Sequence, residues 1–140
     1  MRTEAANQFA DLARHFRNEN NGAKLSITSA YRSAKFQDSM LKNGCSRAKC
    51  AKAGSSEHQL GLAVDLAIVT PTGKYIALKK GSPYYEWLYT RGADRGFHNS
   101  YQRGIEIDGQ MEEGRHRRFL GTDLAQTLRD NHQTFAERFE

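Results

Sequence analysis

Leu62, Val64, Leu66 and Ile68 recur at every second position, the period of a strand that buries one face. Asp65 falls on the other face between Ala63 and Ala67, and such small neighbours leave room for a positive partner. Towards the amino terminus the period lengthens. Phe9, Leu12, Ala13 and Phe16 form one apolar stripe, which predicts a helix from about Glu4 to Asn18, capped by Thr3 and stopped by NENNG. KLSIT then reads as a short strand, and Ser33 can cap a helix from about Ala34 to Lys42. PTGKY is a turn between strands. In SPYYEWLYTRGADRG, Pro83 stands near a helix start, Trp87 and Leu88 on the inner side, and Gly96 at the stop. Shorter strands are expected at about Phe97–Tyr101, Gly104–Ile107 and Arg115–Leu120, before a final amphipathic helix capped by Thr122 or Asp123. The order of elements predicts an α+β domain with a central, mostly antiparallel sheet flanked by helices.

The 140 residues suffice for one domain with a substantial core. No apolar run approaches membrane-spanning length, and the first 22 residues lack the apolar centre of a secretory signal. A net charge of +5 favours polyanionic partners. No helix-turn-helix, finger or aromatic RNA-binding motif directs that charge to nucleic acid. Cys45 and Cys50 have no second cysteine pair with which to form a zinc ribbon. A small disulfide loop is the reading in an oxidising compartment, and two free thiols the reading in a reducing one.

Among the histidines, His15, His98 and His132 read as surface or satisfied core residues. His58 and His116 stand apart. His58 lies in a Gly- and Ser-flanked turn that leads into the strand of Asp65, and His116 follows Glu113 by three residues on a later strand. Two neutral imidazoles and one carboxylate are a common zinc set that leaves the fourth tetrahedral position to water, as in a catalytic site.

SEHQLGLAVD, Ser56 to Asp65, resembles the S-x-H-x-x-G-x-A-x-D signature of the LAS metallopeptidases, the group named for lysostaphin, D-Ala-D-Ala peptidases and sonic hedgehog. EGRHRRFLG, Glu113 to Gly121, is similar to their second motif, usually E-P-W-H-x-R-Y-[VL]-G. SAYRS, Ser29 to Ser33, looks like the segment that carries their carboxylate-gripping arginine. The resemblance runs from about Leu25 to Gly121 and is closest to the VanY-type carboxypeptidases. It implies a hedgehog-like peptidase fold and one Zn²⁺ held by His58, Asp65 and His116. Glu113 would be the catalytic base, with Arg32, Tyr31 and Ser56 on the substrate side.

The activity so implied is removal of a terminal D-alanine from peptidoglycan stem peptides. The alternatives are an endopeptidase of the same fold, as in phage or autolytic lysins, and a zinc-bearing cell-wall binding module without turnover. The expected setting is the cell envelope, with phage-encoded or cytoplasmic origin as alternatives, and the expected state a monomer without nucleic-acid partners or membrane insertion. Two positions depart from the pattern: Gly114-Arg115 replaces the usual Pro-Trp, and Gln110 follows Gly109 where a tyrosine is frequent. Loss of a rigid proline and an aromatic wall is expected to loosen the base-bearing turn and open the cleft.

Overall fold

The computed structural model describes residues 1–30 and 57–139. Arg32, Tyr31, Ser56, Cys45, Cys50 and the helix expected from Ala34 to Lys42 lie outside the described residues. Helix α1 spans Thr3–Glu19 and buries Ala5, Phe9, Leu12 and Phe16, one stripe of its surface. It ends where Asn21 and Gly22 turn to φ 57° and 89°, a conformation that asparagine and glycine tolerate best. Strand β1, Lys24–Ser29, runs antiparallel to β2, Ala63–Val69. Val64, Leu66 and Ile68 of β2 enter the core with Phe9, Leu12 and Phe16, as the period-two pattern requires.

Two strands share the other edge of β2. Strand β3, Tyr75–Ala77, pairs with its end, and β5, His116–Phe119, pairs with its beginning, both antiparallel. Strand β4, Phe97–His98, continues the sheet beyond β5, so the path is β1-β2-β5-β4. Helix α2, Pro83–Ala93, starts with proline in its first turn and with the Ser82 side chain accepting the Tyr85 amide. Leu88 and Tyr85 pack into the core, and Trp87 meets Phe16 edge-on at 5.2 Å between centroids. Gly96 turns the chain from α2 into β4 at φ 87°, where a Cβ would lie 2.6 Å from the Phe119 ring, so any larger residue would displace that ring.

Four local expectations are corrected. The strand expected over Gly104–Ile107 is instead a one-turn helix, α3, Ile105–Asp108. No strand lies alongside to pair with it among the described residues. The Asp108 carboxylate accepts the amides of Gln102 and Arg103 and so closes the chain into a turn. The strand expected over Phe97–Tyr101 stops after two residues, because the Asn99 side chain takes the Tyr101 amide.

The single terminal helix is divided into α4, Thr122–Asp130, and α5, Phe135–Phe139. His132 at φ 52° breaks it. Thr134 and Glu137 then exchange side-chain-to-backbone hydrogen bonds at 3.2 and 3.0 Å, a capping box that starts a new helix. Neither Thr122 nor Asp123 caps α4; Gly121 holds that position without a side-chain bond.

Candidate metal centre

Antiparallel pairing places Asp65 of β2 directly opposite His116 of β5 and, on its other side, opposite Ser29. A bulge at Thr28 shifts that second register. Residues paired in this way carry side chains on one face within contact distance. The third member comes from a 3₁₀ turn, Glu57–Leu60, which delivers His58 just ahead of β2. His58, Asp65 and His116 are all buried, and one ligand atom from each lies within 4.8 Å of the others. Such a group could hold a metal ion.

The hydrogen bonds select which imidazole nitrogen faces inward. Nδ1–H of His58 donates to the Ala30 carbonyl at 2.6 Å, which turns Nε2 towards Asp65 Oδ2 at 3.3 Å. His116 is held the other way round, with Nε2–H donating to Glu57 Oε1 at 2.6 Å and Nδ1 facing Asp65 Oδ1 at 3.2 Å. Burial opposes charge on both Asp65 and His116. Their mutual hydrogen bonds and charges, joined by His58 at Asp65 and by Glu57 at His116, outweigh it, lowering the Asp65 carboxyl below the usual range and raising His116 to about 9. A proton on His116 is thereby favoured beside the buried carboxylate. A divalent cation could take that proton's place between the same atoms, and two imidazoles with one carboxylate are the nitrogen and oxygen donors that zinc accepts.

Glu113 stands on the turn that enters β5, its amide bonded to the Tyr101 carbonyl at 3.0 Å. Burial raises its carboxyl above the ordinary value, against the pull of Arg115 and His116. Arg115 Nη2 lies 3.3 Å from Glu113 Oε1, and its Nε lies 3.7 Å from Asp65 Oδ2. The half-exposed guanidinium therefore bridges Glu113 and the central carboxylate.

The turn that carries Gly114 is closely packed. A Cβ on Gly114 would lie 2.7 Å from the Leu78 carbonyl oxygen and 2.9 Å from the Lys80 amide, so the backbone of residues 78–80 packs against it. The Leu66 amide bonds to the Arg115 carbonyl at 2.9 Å, and Arg117 Nη1 donates to the Gly114 carbonyl at 2.8 Å.

Two neighbours of the cluster escaped the sequence reading. Glu57 accepts hydrogen bonds from His116, Ser100 and Arg118. Burial alone would raise its carboxyl, yet these partners lower it to about 2. Tyr101 lays its ring 4.6 Å, centroid to centroid, from that of His116. Burial and the charges of Glu57, Glu113 and Asp65 raise its hydroxyl well above the ordinary range, so the phenol remains a proton donor. Glu57 had a signal in its position beside His58. Tyr101 had none, because only the fold brings it to β5.

Solved structures share this architecture. The LD-carboxypeptidase LdcB, described in terms of peptidoglycan recognition, is 27% identical with a TM-score of 0.82, over 99% of this chain and 67% of that one. VanYB in complex with D-alanine-D-alanine is 25% identical with a TM-score of 0.76, over 98% and 80%. A mutant of the vancomycin resistance D,D-pentapeptidase VanY in complex with Zn(II) shares the fold at 22% identity and a TM-score of 0.82, over 100% and 84%. No match is found among the curated proteins. The sequence model of the VanY D-alanyl-D-alanine carboxypeptidases matches residues 1–122. With that match over most of its length, the chain belongs to the VanY family of D-alanyl-D-alanine carboxypeptidases.

Proposed function

We propose that the protein is a zinc carboxypeptidase that removes terminal D-alanine from peptidoglycan stem peptides at the cell envelope. The observation that carries this reading is the convergence of His58, Asp65 and His116 within 4.8 Å, in a chain of this family. These three residues would hold the zinc ion. When bound, the ion supplies Lewis acidity for the scissile carbonyl and lowers the pKa of water.

The remaining chemistry belongs to the chain. Glu113, its carboxyl raised by burial, takes a proton from the attacking water and delivers it to the leaving amine. Arg32 grips the free terminal carboxylate with its planar fork and so selects cleavage one residue from the end. Tyr31 and Ser56 complete the substrate side. Arg115 sits where it can neutralise Glu113 and Asp65 before loading. The reading without turnover has Glu113 against it, since a structural ion needs no acid-base group beside it.

Purified muropeptides with four- and five-residue stems, incubated with zinc-loaded protein and analysed by mass spectrometry, test the proposal. Loss of one alanine from a free-ended stem supports it, and the stem that reacts separates L,D from D,D preference. Cleavage inside the stem or at cross-links with ends left intact would replace the carboxypeptidase by the endopeptidase.

A further inference from the structure

Glu57 is the x of the S-x-H motif, a position to which that motif gives no role. Its side chain is 13% exposed and ties three parts of the fold together. Oε1 accepts from His116 Nε2 at 2.6 Å and from Ser100 Oγ at 2.8 Å, and Oε2 accepts from Arg118 Nη1 at 2.7 Å. His116 and Arg118 are two residues apart on β5 and therefore share a face. Arg118 is itself seated over the Phe135 ring, 4.5 Å from its centroid. The carboxylate is thus fixed from the side away from the cluster.

An imidazole that binds a metal through one nitrogen has only the other left for a hydrogen bond, and the acceptor placed there decides which nitrogen is available. For His58 that acceptor is the Ala30 carbonyl, at 2.6 Å from Nδ1. For His116 it is Glu57. The two histidines consequently present unlike nitrogens to Asp65, Nε2 from one and Nδ1 from the other. Because Glu57 also precedes His58 in the chain, the carboxylate that orients the β5 ligand pins the turn that carries the other imidazole.

We propose that Glu57 is the positioning residue of the metal centre: anchored by Arg118 and Ser100, it commits Nδ1 of His116 to the metal and locks the His58 turn onto β5. The inference rests on His58, Asp65 and His116 being the ligands, and it is independent of the substrate. A residue that merely bridged the turn to Arg118 would affect folding stability and leave the affinity of the folded protein for zinc unchanged.

The test is chelator-competition titration of zinc into the wild-type protein, Glu57→Ala and Ser100→Ala, with thermal unfolding of each metal-free protein in parallel. Histidine ¹⁵N spectra of the zinc-loaded wild type complete it. Removal of the acceptor is expected to weaken zinc binding roughly 10- to 100-fold. Ser100→Ala, which removes one of the donors to Glu57 and leaves its contacts with His116 and Arg118, is expected to weaken zinc binding less than Glu57→Ala does. The spectra are expected to place the proton of His116 on Nε2 and the metal on Nδ1. Equal zinc affinity in folded Glu57→Ala and wild type would overturn the proposal, as would a larger loss in Ser100→Ala than in Glu57→Ala. Metal on Nε2 of His116 would overturn it without any variant having to fold. Wild-type protein that takes up no zinc would overturn the ligand set as well, whereas failure to cleave muropeptides would leave this assignment intact.

Discussion

Asp65 and His116 are direct partners across the β2–β5 pairing, with Oδ1 and Nδ1 3.2 Å apart. A strand register therefore sets the spacing between two of the candidate ligands, and a shift of one residue would turn either side chain to the opposite face. His116→Ala is expected to remove most of the zinc while leaving the sheet paired, since the backbone bonds do not depend on the ring. Metal analysis of the alanine variants of His58, Asp65 and His116 checks this. Full stoichiometric zinc in all three would refute the ligand set.

Glu113→Gln is expected to keep zinc and fold and to lose turnover by orders of magnitude, because an amide cannot accept the proton of water. The required measurements are zinc content, circular dichroism and kcat on a free-ended stem peptide. A variant that retained most of the wild-type rate would remove Glu113 from the role of base. One that lost zinc and activity together would make it a support for the centre.

The parts of this fold that were legible in the sequence are those in which periodicity and burial agree. The α1 stripe of Phe9, Leu12 and Phe16 and the alternation in β2 both describe faces that end up in one core. Ligand candidates were legible because His58 and Asp65 lie close together in the chain and His116 lies in a motif of its own. Other features depend on contacts between distant segments. The turn of α3 follows from a carboxylate that closes back on the preceding amides, and Tyr101 is brought to His116 by the β4–β5 pairing and the Glu113 amide. The division of the last helix had a local signal, Thr134 followed by Glu137, but amphipathicity continuing across His132 masked it.

Acid sensitivity is expected from His98, which is 2% exposed. Burial, reinforced by the charges of Arg117 and Arg129, lowers it to about 4 against the hydrogen bond to the Gln133 carbonyl. The unfolded chain takes up the proton near the ordinary value of 6.5, so stability falls as pH drops from there towards 4. The loss is about 3 kcal/mol when complete. His116 shifts in the other direction, so it gains stability as pH falls through 6.5 and offsets part of the decline in the upper part of that window. Denaturant unfolding of metal-free protein between pH 7 and pH 5 should show the decline, and His98→Gln should flatten it. A slope unchanged in that variant would assign the decline elsewhere.

Arg32 separates the enzymatic readings. If it grips the substrate carboxylate, Arg32→Ala should cost a few kcal/mol in kcat/KM on free-ended stems, and Arg32→Lys should recover part of the loss through charge alone. Wild-type protein should cut C-terminally amidated stems as poorly as the alanine variant cuts free ones. Equal rates on amidated and free ends would remove carboxylate selection.

Gly114→Ala is expected to destabilise the protein by about 1–3 kcal/mol, the range for forcing atoms into a packed site, because its Cβ would meet the Leu78 carbonyl and the Lys80 amide. Unfolding midpoints of the metal-free variant and wild type measure this. A midpoint equal to wild type would mean that the 78–80 backbone yields freely.

That same contact makes two distant stretches of the gene one heritable unit. A lineage that acquired the Pro-Trp pair at 114–115 would first have to move the connection between β3 and α2, and one that moved the connection would release position 114 from glycine. Homologous exchange between this chain and a Pro-Trp relative should therefore succeed only when both segments travel together. Crossovers between residues 80 and 114 should yield poorly folding hybrids even though each parent is sound.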